Sequence, residues 1–183
     1  MGQLGALMSR SFDYCVNRVL HPDVEGGEVN DPRDPGGHTN LGVTQGTLDT
    51  ARRLLPDLPL SVAKLTAVDA RRIYEALYWR PIRGDELPLG LALIVFDAAV
   101  NQGVEDARRF LQVAIGVKLD GQIGPKTIQA ANTIPLRKAI VEVAAWRMFD
   151  YMQLDRLQGR FGLGWSRRLM RMVADALSAP LEA

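Results

Sequence analysis

Pro88-Leu89-Gly90-Leu91-Ala92-Leu93-Ile94-Val95-Phe96-Asp97-Ala98-Ala99-Val100-Asn101-Gln102-Gly103 is the stretch that decides the fold. From Leu89 to Val100 the side chains are apolar on almost every side except at Asp97, so a helix built from it has no face suited to water and belongs at the centre of a helical assembly. Gly103 is placed to end it. Asp97 and Asn101 lie four apart and share a face; polar groups there need partners, which makes them either a structural network or the back wall of a cleft.

Working outward, Val104, Ala107, Phe110, Leu111 and Ala114 keep helical spacing up to Gly116. A tight polar link, Leu119-Asp120-Gly121-Gln122-Ile123-Gly124-Pro125, precedes a short helix over Lys126 to Asn132. Two further helices are expected over Leu136 to Leu157 and Trp165 to Leu177. Upstream, Thr66 with Asp69 forms a capping-box pattern that opens a helix through Ile73, Tyr74, Leu77 and Tyr78 until Pro81. Thr44 is placed to cap a helix carrying Leu48, Ala51 and Leu55, closed by Pro56. Phe12, Cys15, Val16, Val19 and Leu20 predict a first helix, capped by Ser9 or Ser11 and ending near His21-Pro22. Strand-like alternation is absent outside residues 24–44. The class is therefore mainly α, with at most a small β-hairpin or sheet near residues 24–44.

The chain of 183 residues is 47% hydrophobic, enough for a real core in one domain. Its 22 basic and 21 acidic residues leave a net charge of +1, which gives no reason to expect a nucleic-acid binder. Arg147, Arg156, Arg160, Arg167, Arg168 and Arg171 cluster near the C-terminus and suit either an anionic polymer or, more simply, a solvated helix face. Cys15 is the one cysteine, so an internal disulfide and a Cys-rich zinc site are excluded. His21 and His38 fit no familiar ligand spacing, and neither metal nor cofactor is expected. Met1 to Arg10 lacks an apolar stretch of signal-peptide length, and no run approaches the ~18 apolar residues of a membrane span. The expectation is a soluble monomer made in the cytoplasm, which needs another component for export if it acts outside.

Between the first two helices, residues 24–44 hold four carboxylates, five glycines and two prolines. That density describes a shaped loop or hairpin fixing polar groups in position. Glu25, just past a helix end, feels the negative pole of the helix dipole and is placed to keep a proton, as a general acid must. Asp34 follows nine residues later, and two carboxyl groups of unequal pKa are the equipment of glycoside cleavage. Thr39 adds a hydroxyl able to orient a water. Spacing alone serves equally well a set of Asx-type turns around a solvated Glu25. Tyr74, Tyr78 and Trp79 are either core or sugar-stacking faces, with Trp79, near its helix end, the first candidate for exposure.

Glu25-Gly26-Gly27, Asn30-Asp31-Pro32, Asp34-Pro35-Gly36-Gly37, Thr39-Asn40 and Gly42-Val43-Thr44 together resemble the signature of the glycoside hydrolase family 108 N-acetylmuramidases of phage endolysins and secretion-associated muramidases. Tyr78-Trp79, Phe96 to Gly103, Leu119-Asp120-Gly121 with Ile123-Gly124-Pro125, and Gly164-Trp165 with Arg168 extend the resemblance from about Phe12 to Arg171. Glu28 stands where family members often carry an aromatic residue. The resemblance implies a lysozyme-like fold, with a catalytic part over residues 9–90 and a helical part over 91–177 that contains a predicted peptidoglycan-binding motif, packed as one globular unit. It implies hydrolysis of the β-1,4 bond between N-acetylmuramic acid and N-acetylglucosamine, with catalytic Glu25, Asp34 and Thr39. Tyr78, Trp79, Asn101 and Gln102 become candidate substrate-binding residues, peptidoglycan glycan strands the partner, and a holin-type pore a route to the cell wall. A lytic transglycosylase using the same glutamate, a non-catalytic peptidoglycan-binding module and a metal-dependent amidase are the alternatives.

Overall fold

The computed structural model describes residues 2–21 and 39–180, with the helical path alone at 2–9 and 155–161. Eight α-helices and one two-stranded sheet make up the regular structure of these residues. Helix α1 runs Gly2–Val19, strands β1 (Thr39–Asn40) and β2 (Val43–Thr44) form an antiparallel hairpin, and α2 (Gln45–Ala51) follows directly. Helix α3 (Ala67–Tyr74) continues into a π-helical turn at Glu75–Trp79 and two 3-10 turns, Arg80–Ile82 and Gly84–Glu86. Then come α4 (Leu89–Asn101), α5 (Val104–Ala114), α6 (Pro125–Thr133), α7 (Leu136–Met152) and α8 (Asp155–Leu177). The expected mainly α class with one small hairpin is what the chain adopts. No helix among these residues is long and apolar enough to cross a membrane.

Helix α4 is the centre. Leu89 through Ala99 are all buried, Asp97 included, and α4 packs against α1, α5, α7, α8 and the π turn. Burying each of Leu91, Leu93, Ile94, Val95 and Phe96 contributes about 1.5–3 kcal/mol, so this helix holds the layers together. Gly90 lets α8 approach: a Cβ there would stand 2.3 Å from the Ala176 carbonyl oxygen. The division expected between residues 90 and 91 falls in the first turn of α4.

Several boundaries differ from expectation. Helix α1 begins at Gly2, ahead of Ser9 and Ser11, because the Leu, Ala and Met residues before them favour helix and no proline interrupts. Its other end, at Val19, agrees, with turn hydrogen bonds at Leu20 and His21 following it. Helix α2 stops at Ala51, and turn bonds from Leu54 and Leu55 to Ala51 close it well before Pro56. Helix α8 starts at Asp155, ten residues before Trp165. The expected gap between Leu157 and Trp165 is helical although it holds Gly159, Gly162 and Gly164: a mid-helix glycine costs only about 1 kcal/mol relative to alanine, which packing of α8 on α4 and α7 overrides.

Candidate active site

The hairpin Thr39-Asn40-Leu41-Gly42-Val43-Thr44 is the most constrained polar element. Leu41 and Gly42 have φ of 52° and 72°, the doubly positive pair of a two-residue hairpin turn that follows strand twist. Leucine in this region costs about 1–2 kcal/mol. Two contacts hold it there: the Tyr74 hydroxyl donates to the Leu41 carbonyl at 3.4 Å, and the Leu41 side chain packs on the core.

Strand pairing then sorts the side chains. Thr39 is opposite Thr44 and Asn40 opposite Val43, so the two pairs face opposite ways. Val43 is 1% exposed, and Asn40 donates to the Val62 carbonyl at 2.8 Å, so this pair is locked inward. Thr39 and Thr44 therefore occupy the other face. There Thr44 caps α2, accepting from the Thr47 amide at 3.2 Å, and Gln45 ties the helix start to the next loop through the Leu60 carbonyl and the Val62 amide.

A groove of about 480 Å³ opens on this side, lined by Thr44, Gly46, Thr47, Thr50, Leu77 and Tyr78. Tyr78 reaches it because the π turn holds one extra residue, so Leu77 and Tyr78 line the groove while Trp79 is carried back into the core. Sequence reasoning selected Thr39 and Tyr78 but passed over Gly46, Thr47 and Thr50. The available signal was the three-residue spacing of Thr44, Thr47 and Thr50 on a short helix.

Trp79 corrects the expectation. It is 1% exposed, with its ring 5.4 Å from Phe96 and 5.6 Å from Phe12 between centroids, and Gly84 lies so close beneath it that a Cβ would be 2.5 Å from the indole. It is a core residue, and Tyr78 is the ring left at a groove. Burial pushes the nearby Asp85 carboxyl up, and the Trp79 indole opposes that rise.

Asn101 and Gln102, both half-buried, are held by hydrogen bonds to α7. The Tyr151 hydroxyl donates to Asn101, and Gln102 accepts from Arg147 Nε at 2.7 Å while donating to Asp150 at 2.7 Å. Arg147 Nη2 reaches Asp97 at 2.7 Å, and Arg168 Nε reaches the other Asp97 oxygen at 2.8 Å. The Asp97–Asn101 face is thus a structural network joining α4 to α7 and α8. Arg147, fully buried, and Arg168, 11% exposed at its side chain, are its counterions and not part of a solvated arginine face. Burial raises the Asp97 carboxyl, and the two guanidiniums outweigh it, holding the group below the ordinary carboxylate range.

The 119–127 segment is pinned from beneath by Gln112, while Leu119, Asp120, Gln122, Pro125 and Lys126 stay exposed. Gln112, 1% exposed, donates to Asp120 at 2.8 Å and to the Gln122 carbonyl at 3.0 Å, and accepts from the Gly121 amide at 2.8 Å. Glu25, Asp34 and His38 lie outside the described residues. Among the described residues, no three His, Cys, Asp or Glu side chains converge as a metal ion would require.

Comparison with known proteins gives this geometry a family. The glycosyl hydrolase 108 family matches residues 12–103, just over half the chain, from the α1 core face through the hairpin and α4. The chain belongs to glycosyl hydrolase family 108. A solved structure of SagA from Brucella abortus is similar to it at 33% identity, covering 97% of this chain and 95% of that one, with a TM-score of 0.74. No curated protein matches the chain. As a family 108 member with a mainly α, lysozyme-like fold, the chain is a glycosidase. The family match ends at Gly103, short of the 119–127 segment.

Proposed function

We propose that this glycosidase is a peptidoglycan hydrolase of the muramidase type, cutting the β-1,4 bond between N-acetylmuramic acid and N-acetylglucosamine. The observation that carries the reading is the position of Thr39. In a chain belonging to a glycosyl hydrolase family, Thr39, the last member of the Glu25, Asp34 and Thr39 set, sits on a paired hairpin, on the same face as a groove-lining threonine.

In this mechanism Glu25 gives its proton to the glycosidic oxygen as the bond to the muramic acid anomeric carbon breaks. Asp34 takes a proton from a water whose hydroxyl adds to that carbon, and the Thr39 hydroxyl orients the water. The products are a reducing-end muramic acid and a free 4-hydroxyl on the glucosamine. The chain's own residues supply every proton transfer. The site acts on glycan strands of the cell wall, with a holin-type pore as the proposed route to them and a monomer as the working unit.

Mass analysis of fragments released from purified sacculi tests this. Fragments ending in reducing muramic acid are expected. Products one water lighter, with a 1,6-anhydro ring, would instead assign a lytic transglycosylase.

A further inference from the structure

The outward face of α7 departs from the pattern of a solvated helix. Every exposed position from Val141 to Met152 is apolar, namely Val141, Ala145, Trp146, Phe149 and Met152, where a helix bathed by water carries charge. Val141, Ala145, Phe149 and Met152 follow one another at helical spacing and form one stripe. The Trp146 ring meets that of Phe149 edge-on, with centroids 5.9 Å apart, and widens it. On α8, Leu163, Arg167 and Met170 are exposed at the same spacing. Met152 and Leu163 line one cavity of about 200 Å³, so the two stripes meet at that end. Scattered apolar side chains at a surface need no explanation, whereas a contiguous patch marks a contact surface.

We infer that this face docks on an anionic lipid surface, with Trp146, Phe149, Met152 and Leu163 entering the headgroup boundary and Arg137, Lys138 and Arg167 meeting the lipid phosphates. Charge identifies the occupant. Among the described side chains of α7 and α8, every charged one at an exposed position is a cation: Arg137 and Lys138 one turn before Val141, Arg167 between Leu163 and Met170, and Arg171. The acids Glu142, Asp150 and Asp175 are half-buried, and Asp150 accepts from Gln102. Aromatic and long aliphatic side chains bordered by Arg and Lys suit a helix face lying in the plane of a membrane interface. The long basic side chains lay their stems along the apolar surface while their charges reach the headgroups. A second copy of the chain would set this cationic face against itself, which like-charge repulsion opposes.

The test is co-sedimentation of the full chain with vesicles of phosphatidylcholine alone and of phosphatidylcholine mixed equally with phosphatidylglycerol. Wild type is compared with a Phe149→Ser, Met152→Ser double variant, an Arg137→Glu, Arg167→Glu double variant, and Leu60→Ser, an exposed leucine on the loop before α3, each first checked for an unchanged melt. Wild type is expected to bind the anionic vesicles at least about tenfold more tightly than the neutral ones, and each double variant to lose at least about tenfold, the factor that ~1.4 kcal/mol gives. Raising the salt to about 1 M should weaken wild-type binding, and Leu60→Ser should bind like wild type. Equal binding to both vesicles, no binding, or double variants that bind like wild type overturns the inference. So does a concentration-dependent dimer that Phe149→Ser, Met152→Ser abolishes in a chain that ignores vesicles, which assigns the face to a second copy. Where a double variant melts early, quenching of tryptophan fluorescence by brominated phosphatidylglycerol decides: quenching that is reduced in Trp146→Phe supports the docking, and its absence in wild type overturns it.

Discussion

At the scale of single residues, the strongest commitment is the buried ion group of Asp97, Arg147 and Arg168. A buried pair is worth little against an apolar replacement, but removing one partner leaves an uncompensated charge. Arg147→Ala is therefore expected to destabilise the protein by about 3–5 kcal/mol, measured by denaturant unfolding at neutral pH. The pH dependence has a definite sign. The Asp97 carboxyl is lowered in the folded chain, so its stabilising contribution is complete above the ordinary aspartate value of about 3.9 and is lost as pH falls through the depressed folded value. Unfolding curves taken from neutral pH down to about 2 should show a steep acid limb in wild type, flattened in Asp97→Asn. Equal acid limbs would contradict the pairing. The need for partners at Asp97 and Asn101 was legible from their spacing on an apolar helix. Arg147 as the partner was not, because a buried arginine 50 residues away has no local signature among six similar arginines.

At the scale of elements, the site depends on two pieces of uncommon backbone, and each has a different visibility in the sequence. The hairpin turn was foreshadowed by the glycine and asparagine around Leu41, although leucine itself is a poor residue for positive φ. The π turn at Glu75–Trp79 was not foreshadowed, since helical spacing continues through it and nothing local marks an extra residue. That is why Trp79 is core while Tyr78 keeps a place at the groove: proximity to a helix end suggested exposure of Trp79, and the wider turn reversed it. Close approaches make a further prediction. Gly90→Ala sets a methyl against the Ala176 carbonyl, a backbone group with little freedom to move, so α4 and α8 must separate. A cost of about 1–3 kcal/mol is expected in thermal melts. An unchanged melting temperature would show that the two helices are not held as closely as described.

For the whole molecule, the central helix governs what can stand alone. The family match ends at Gly103, yet α4 buries nearly all of its surface against elements on both sides of that point, including α5, α7 and α8. A fragment ending at Gly103 would expose the face of α4 that those helices cover. It is expected to lack a cooperative thermal transition, checked by circular dichroism, and a sharp two-state melt from that fragment would contradict this account of the core. The helical class and the central place of α4 were legible because an all-round apolar helix has only one stable location. The break between α7 and α8, at Gln153–Leu154, was not, because helical spacing runs on to Leu157 and only long-range packing decides where one helix ends and the next begins.

The most direct measurement of the central claim is sacculus digestion by wild type and Glu25→Gln side by side, with fragments identified by mass. Glutamine keeps the shape and removes the transferable proton, so the account predicts reducing-end muramic acid fragments from wild type, nearly none from the variant, and equal melting of the two proteins. Wild-type-like turnover by Glu25→Gln would contradict it.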